Sequence, residues 1–310
     1  MDSRRNFLKT VGWSLAGTVL AKGNYLFASN EINIKKRLKN PLIDEPGMSD
    51  PHMLIDNNTC YVFTGHDVGF GVPDWIMPDW RIYKSTDLLS WEHVGTIKPE
   101  DCYMGSGNKS CWAGDIVKRN DKYYWYFSNR KENIGVMVAS KPEGPYKDAI
   151  GKPLVPSFDP TIFVDDDNTP YIIYGEHTYH IARLKDNMIE LDEPPKEITI
   201  NRTTIFPETD KNSLHKHNGI YYLSCSGYYA TSKHIYGPYE TKGVVGTGFG
   251  IDTGYGHGDF FKFKKQWYHV WCKYKDRSKD RIRDCFIAPV KYDKNGLMYD
   301  DLSQIDEKYK

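Results

Sequence analysis

The chain has 310 residues, with 41 basic and 41 acidic side chains, so its formal net charge at neutral pH is zero. This balance and the lack of any basic block argue against a nucleic-acid partner. Aromatic side chains make up 14% of the residues, a content that favours β-strands and pockets that stack flat, half-apolar ligands.

The first 29 residues predict an export signal. Arg4 and Arg5 are followed by Phe7, Leu8 and Lys9, and then by a weakly apolar stretch over 11–21. The paired arginines are typical of the twin-arginine route, and the apolar stretch is too short to cross a bilayer. We therefore expect residues 1–29 to be removed and 30–310 to form a single domain in a bacterial periplasm, with no membrane span.

One phrase recurs five times in the remaining chain, a polar turn followed by an aromatic strand, at a period of roughly 50 residues. The copies occupy 57–63, 120–126, 167–174, 218–223 and 264–271. A second phrase, a Ser followed by a polar turn and an aromatic residue, occurs at 85–91, 140–146 and 232–239. A hairpin in each copy indicates radial repetition. The sequence thus predicts an all-β fold, a five-bladed β-propeller whose blades begin with the innermost strand.

A titratable residue precedes each aromatic strand by about ten positions: Asp50, Asp115, Asp159, Asp210 and His257. Each aspartate alone would fit an ordinary turn, but radial repetition would bring all five positions to one mouth of the channel. Glycoside hydrolysis requires a protonated carboxylic acid and an ionised carboxylate, and a third carboxylate keeps the acid protonated by repulsion. These positions therefore predict a glycosidase site.

The same residues stand in motifs that resemble glycoside hydrolase family 43 over roughly 45–297. The motifs are Ser49-Asp50-Pro51-His52, Cys111-Trp112-Ala113-Gly114-Asp115, Phe158-Asp159-Pro160, Leu214-His215-Lys216-His217-Asn218-Gly219 and Tyr255-Gly256-His257-Gly258. The resemblance implies a five-bladed propeller of inverting, exo-acting glycosidases, largely β-xylosidases and α-L-arabinofuranosidases. It implies that Asp50 is the general base and that Asp159 modulates the pKa of the acid. His257 would lie near an axial calcium or sodium ion that is usually coordinated through water, and no organic cofactor is expected.

The general acid is the position where the chain departs from that family. The family places a Glu six residues before the lysine that corresponds to Lys216, and here that position is Asp210. Glu208 lies two residues earlier, and residues two apart on a strand share a face. Because Glu reaches farther by one methylene, we favour Glu208 as the acid, with Asp210 as the alternative.

Substrate contacts are expected from His52, from Trp75 and Trp80 as a subsite platform, and from Arg283. Arg281 and Arg283 both resemble an arginine position that contacts substrate in relatives. The two tryptophans fit a packed loop equally well. Asp115 is expected to hold the start of its blade.

Two other functions remain open. One is a non-catalytic sugar-binding propeller, which an irregular acid position would explain. The other is a retaining, invertase-like propeller, whose Asn-Asp-Pro-Asn and Glu-Cys motifs this chain lacks. In each case the partner is an oligo- or polysaccharide and we expect a monomer. The six cysteines form no CxxC, and we expect mostly free thiols, with Cys102 and Cys111 as the local pair to check.

Overall fold

Hairpins connected in chain order account for nearly all of the structure, a computed structural model that describes residues 37–202, 210, 212–245 and 256–306. These residues form 21 strands and two 3-10 turns, Pro99–Asp101 and Leu302–Gln304. None of the helical segments in these ranges is long and apolar enough to cross a membrane. The predicted signal peptide, 1–29, lies outside the described residues.

Five sheets make up the described fold, and in four of them the strand order follows the chain. The first blade contains β1 (Met48–Asp56), β2 (Thr59–His66), β3 (Trp80–Ser85) and β4 (Glu92–Ile97). The second contains β5 (Cys111–Arg119), β6 (Lys122–Asn129), β7 (Asn133–Ala139) and β8 (Lys147–Asp148). The third contains β9 (Thr161–Val164), β10 (Pro170–Tyr174), β11 (His180–Arg183) and β12 (Lys196–Glu197).

The last two blades complete the ring. The fourth contains β14 (Asn212–His217), β15 (Ile220–Cys225), β16 (Tyr228–Ser232) and β17 (Tyr239–Val244), with β13 (Ile200–Asn201) added parallel to β17. The fifth contains β18 (Gly258–Phe263), β19 (Gln266–Tyr274), β20 (Arg283–Tyr292) and β21 (Met298–Asp300). The first strands β1, β5, β9, β14 and β18 contact one another in turn, and β18 contacts β1. This confirms the predicted five-bladed propeller and its innermost strands.

The polar turns of the recurring phrase close the first hairpin of each blade. In four blades two consecutive turn residues have positive φ: Asn57 and Asn58, Asn120 and Asp121, Asn218 and Gly219, and Lys264 and Lys265. Two-residue turns of this kind match the right-handed twist of the strands and favour Asn, Asp and Gly. The turn chemistry read from the sequence therefore sets the hairpin register of these blades.

No strand is shared between the first and fifth blades, so the ring closes through side chains and single hydrogen bonds. The Asn40 side chain donates from Nδ2 to the carbonyl of Ile287 (3.1 Å), and its Oδ1 accepts from the N–H of Ile287 (2.8 Å). The N–H of Met53 donates to Asp259 Oδ2 at 3.1 Å. An apolar cluster spans the same junction and includes Val62, Tyr83, Val270 and Trp271.

Trp80 belongs to the core between the first two blades, so its expected role as a subsite platform is wrong. Its side chain is fully buried and packs against Trp125 and Phe127, with ring centroids 6.0 and 5.1 Å away. Its indole N–H donates to the carbonyl of Trp112 at 2.8 Å. As the first residue of β3, Trp80 takes the strand face that points toward the second blade.

All six cysteines are buried free thiols, including Cys102 and Cys111. Burial raises the pKa of Cys60 to about 12 and that of Cys102 to about 11. These thiols serve as small apolar side chains in the blades.

We expect Trp80→Ala to lower the free energy of unfolding by about 3–5 kcal/mol, because it empties a filled space between two blades. Phe70→Ala is the control, since Phe70 is 58% exposed, and it should change stability by less than about 0.5 kcal/mol. Denaturant unfolding of both variants measures the difference. Equal, small losses would show that Trp80 is not a core residue.

Candidate active site

A pocket with a volume of about 300 Å³ opens at one mouth of the channel. Three of the five predicted blade-start residues line it, namely Asp50, Asp159 and Asp210. Asp115 and His257 are buried and do not belong to the lining. The structure thus brings together three carboxylates that are separated by up to 160 positions (210 − 50) in the sequence.

Two of these carboxylates are presented by an unusual backbone. Asp50 has φ 46° and Asp159 has φ 51°. At Asp50 the pairing of β1 with β2 shifts register between Ser49 and His52. Left-handed conformations are uncommon for residues other than glycine and persist where the surroundings enforce them, often at functional sites. Both aspartates therefore leave the regular strand geometry where they meet the pocket.

Arg283 holds Asp50 from across the ring closure. Its Nη1 donates to Asp50 Oδ1 at 2.7 Å, while Nε and Nη2 donate to the two carboxylate oxygens of Asp67 at 2.9 Å each. Burial raises the pKa of Asp67 to about 6, although the positive charge of Arg283 acts to lower it. Arg283 lines the pocket as expected of a substrate contact, but most of its guanidinium is engaged with these two carboxylates. Asp67, at the end of β2, carried no motif that would have revealed it.

Asp159 is fixed by its neighbours on both sides. Its N–H donates to Ser128 Oγ of the second blade at 2.8 Å, and its carbonyl accepts from Asn212 Nδ2 of the fourth blade at 2.7 Å. His257 Nδ1 lies 3.7 Å from Asp159 Oδ2. The backbone of this residue is therefore tied to two adjoining blades.

His52 lies beneath the pocket and not in it, so the expected sugar contact is wrong. It is fully buried, its Nε2 lies 3.3 Å from His257 Nε2, and its Nδ1 lies 3.2 Å from Asp115 Oδ1. Burial lowers the pKa of His52, but the carboxylates of Asp115, Asp259 and Asp50 together outweigh it and leave that pKa raised. Burial and the neighbouring His52 lower the pKa of His257. The shifted pairing around Asp50 explains why a residue two positions later turns toward the channel axis.

Asp115 acts as scaffold, as expected. Its Oδ2 accepts from the N–H of Ile162 in the next blade at 2.6 Å, and Oδ1 accepts from the N–H of Ile116 at 2.6 Å. This carboxylate therefore joins the inner strands of the second and third blades.

The surroundings of His257 do not fit a directly bound axial ion. Calcium takes six to eight oxygen ligands, whereas Nε2 of His257 faces His52 and the Asn212 carbonyl. The described ranges contain no group of three or more His, Cys, Asp or Glu side chains that could hold a metal. His257 Nδ1 is buried without a hydrogen bond, which leaves only a water-mediated contact.

Of the two candidate acids, Glu208 lies outside the described residues. Asp210 lines the pocket, and its carbonyl accepts from Tyr179 Oη at 3.5 Å and from Cys225 Sγ at 3.3 Å. Asp210 is therefore the candidate acid that the described residues place beside Asp50 and Asp159.

The pocket walls contain one residue that the sequence predicted and two that it did not reveal. Trp75 lines the pocket as expected, and its ring contacts that of Trp112 with centroids 5.8 Å apart. Lys131 donates to Glu176 Oε2 at 2.5 Å, and both line the pocket. Lys131 and Glu176 lie in connections between strands. The sequences of these connections do not repeat from blade to blade, so no pattern in the sequence identified the two residues.

Comparisons with known proteins match this sequence and this fold. The family model described as glycosyl hydrolases family 43 matches residues 38–298. An arabinoxylan arabinofuranohydrolase of Bacillus subtilis is 28% identical, over 80% of this chain and 60% of the relative. A xylosidase/arabinosidase of Bacteroides ovatus is 27% identical, over 84% of this chain and 97% of the relative.

The chain thus spans less than two thirds of the first relative and nearly all of the second. Among solved structures, a family 43 enzyme of Xanthomonas citri superposes with a TM-score of 0.75 at 26% identity, covering 86% of this chain and 95% of that one. The family model covers far more than half of the sequence. The chain therefore belongs to glycosyl hydrolases family 43, a family of glycosidases.

Proposed function

We propose that the protein is an exported, monomeric glycosidase that removes terminal xylose- or arabinose-type sugars from a plant or algal polysaccharide with inversion. The observation that carries this proposal is the convergence of Asp50, Asp159 and Asp210 on one pocket. The names of the relatives above support the class of sugar. A pocket walled by Trp75 and Trp112 suits the end of a glycan better than its middle, which supports exo-action.

The three carboxylates would divide the work of an inverting hydrolysis. Asp210 donates a proton to the oxygen of the glycosidic bond as that bond breaks. Asp50 accepts a proton from a water molecule that attacks the anomeric carbon from the opposite face. Asp159, another carboxylate of the same pocket, disfavours loss of the acid's proton by like-charge repulsion. The ion pair of Asp50 with Arg283 holds the base in position during this step.

Asp210 takes the role of acid in this mechanism, although the sequence favoured Glu208. Asp210 occupies the family's ungapped acid position and lines the pocket with the other two carboxylates. Its shorter side chain requires the glycosidic oxygen to bind closer to the wall of the fourth blade.

The stereochemistry of the first product tests the mechanism. Proton NMR during hydrolysis of aryl β-xyloside and aryl α-L-arabinofuranoside should show the inverted anomer first. A retained anomer would refute the inverting mechanism. If a broad panel of glycosides gives no turnover while oligosaccharides still bind, the protein is a non-catalytic sugar-binding propeller.

A pair of variants identifies the acid. Asp210→Ala should lower kcat/KM on a xylo-oligosaccharide by about 10²–10⁴, the usual contribution of general acid catalysis. The loss should be much smaller on dinitrophenyl xyloside, because that leaving group departs without a proton. Glu208→Ala is the matched control and should have little effect on either substrate. The reverse pattern would assign the acid to Glu208.

We also propose export to the periplasm by the twin-arginine route, on the basis of Arg4 and Arg5. Replacing both with lysine should leave the protein in the cytoplasmic fraction, whereas the unaltered chain should appear in the periplasmic fraction. Cell fractionation with immunoblotting measures this. Equal distribution of the two chains would contradict export by this route.

A further inference from the structure

The connection between β19 and β20, residues 275–282, contributes to one wall of the pocket and carries two lysines, two arginines and two aspartates. The two aspartates of this connection accept hydrogen bonds from backbone N–H groups, and Asp276 also contacts side chains of the same connection. Asp276 accepts from Ser278 N–H (3.1 Å) and Oγ (2.6 Å) and lies 2.9 Å from Lys279 Nζ. Asp280 accepts from Gly71 N–H (3.2 Å) and from its own loop. Neither carboxylate is paired with an arginine of the loop.

Arg277 and Arg281 therefore remain as cations without a carboxylate partner among the described residues. The Arg277 guanidinium lies 5.3 Å from the ring centroid of Tyr274, and that of Arg281 lies 5.2 Å from the ring of Trp75. Arg281 Nη1 donates to the carbonyl of Arg277 at 3.0 Å, and its Nε is buried without a partner. Both guanidinium groups thus rest on rings of the pocket wall, which orients them before a ligand binds.

The other cations of the pocket lining are already paired. Arg283 binds Asp50 and Asp67, and Lys131 binds Glu176. Arg277 is the lining cation that the described residues leave without a carboxylate. A neutral pentose carries no negative charge that would pair with this cation.

We propose that Arg277, supported by Arg281, binds an anionic substituent of the glycan, the carboxylate of a uronic acid or a sulfate ester. This inference rests on the proposed glycosidase function. The planar fork of a guanidinium matches such oxyanions with paired hydrogen bonds. Because the ionised carboxylates of Asp50 and Asp159 in the pocket repel a negative charge, the substituent belongs to a sugar next to the one that is released. The substrate is then a decorated, acidic glycan, and Arg277 determines the specificity for it.

A matched pair of substrates tests this with the full chain. One is a xylo-oligosaccharide whose penultimate xylose carries glucuronic acid, and the other is the same molecule with its carboxyl reduced to an alcohol. At low salt kcat/KM should be about tenfold higher for the acidic member, as for one charge-assisted hydrogen bond. The preference should fall as salt is added, because exposed charges are screened. A xylo-oligosaccharide with a sulfate ester at the same place distinguishes sulfate from carboxylate.

Variants assign the preference to the residue. Arg277→Gln should reduce the ratio of the two kcat/KM values to near one, and Arg277→Lys should keep part of it. Lys279→Gln is the control, since it removes a positive charge from the same loop outside the pocket lining, and its ratio should match that of the unaltered protein.

Two outcomes would overturn the inference while the glycosidase stands. These are equal hydrolysis of both members, and a preference that Arg277→Gln leaves unchanged. If neither member nor any glycoside of the broad panel is hydrolysed, the proposed function fails instead. Calorimetric titration of the same two oligosaccharides then decides whether the anion site exists. Tighter binding of the acidic oligosaccharide would support the site if Arg277→Gln abolishes that difference in affinity. Equal affinities would reject it.

Discussion

The ion cluster of Arg283 with Asp50 and Asp67 is the interaction on which the rest of the structure depends. It lies where the ring closes without a shared strand, and it joins the fifth blade to the first. All three side chains are buried, and a buried charge left without its partner costs several kcal/mol. The same contact that closes the propeller also holds the proposed base. Correct closure of the ring and correct placement of Asp50 are therefore one requirement.

Aspartates at two different positions along the inner strands have different uses, since Asp115 and Asp259 match His52 in register, two residues after Asp50. Asp115 and Asp259 lie on inner strands and accept a backbone N–H from the inner strand of the next blade. Asp50 and Asp159 instead have positive φ and line the pocket. The position along the strand, together with the positive φ of Asp50 and Asp159, therefore separates the aspartates that link blades from those available for chemistry. A repeated scaffold can in this way contain a site without repetition.

The architecture was predictable because each blade carries its own turn residues and aromatic strand, so five weak patterns reinforced one another. The roles of single side chains were less predictable. Trp75 and Trp80 stand five positions apart, yet one lines the pocket and the other fills the core. Trp75 lies in the connection before β3, whereas Trp80 is the first residue of that strand and takes its inward face. Likewise the shifted pairing at Asp50 turns His52 away from the pocket, and Arg277 belongs to a connection whose sequence does not repeat in the corresponding connections of the other blades.

The six buried thiols have a consequence for where the chain can fold. Cysteines in the described ranges form no disulfide, and the blades are held instead by aromatic packing, hairpins and buried ion pairs. The native state therefore needs no oxidant and can form fully in a reducing compartment. An export route that carries folded proteins, as we propose for this chain, is compatible with such a native state. The redox state on either side of the membrane would then leave its stability unchanged.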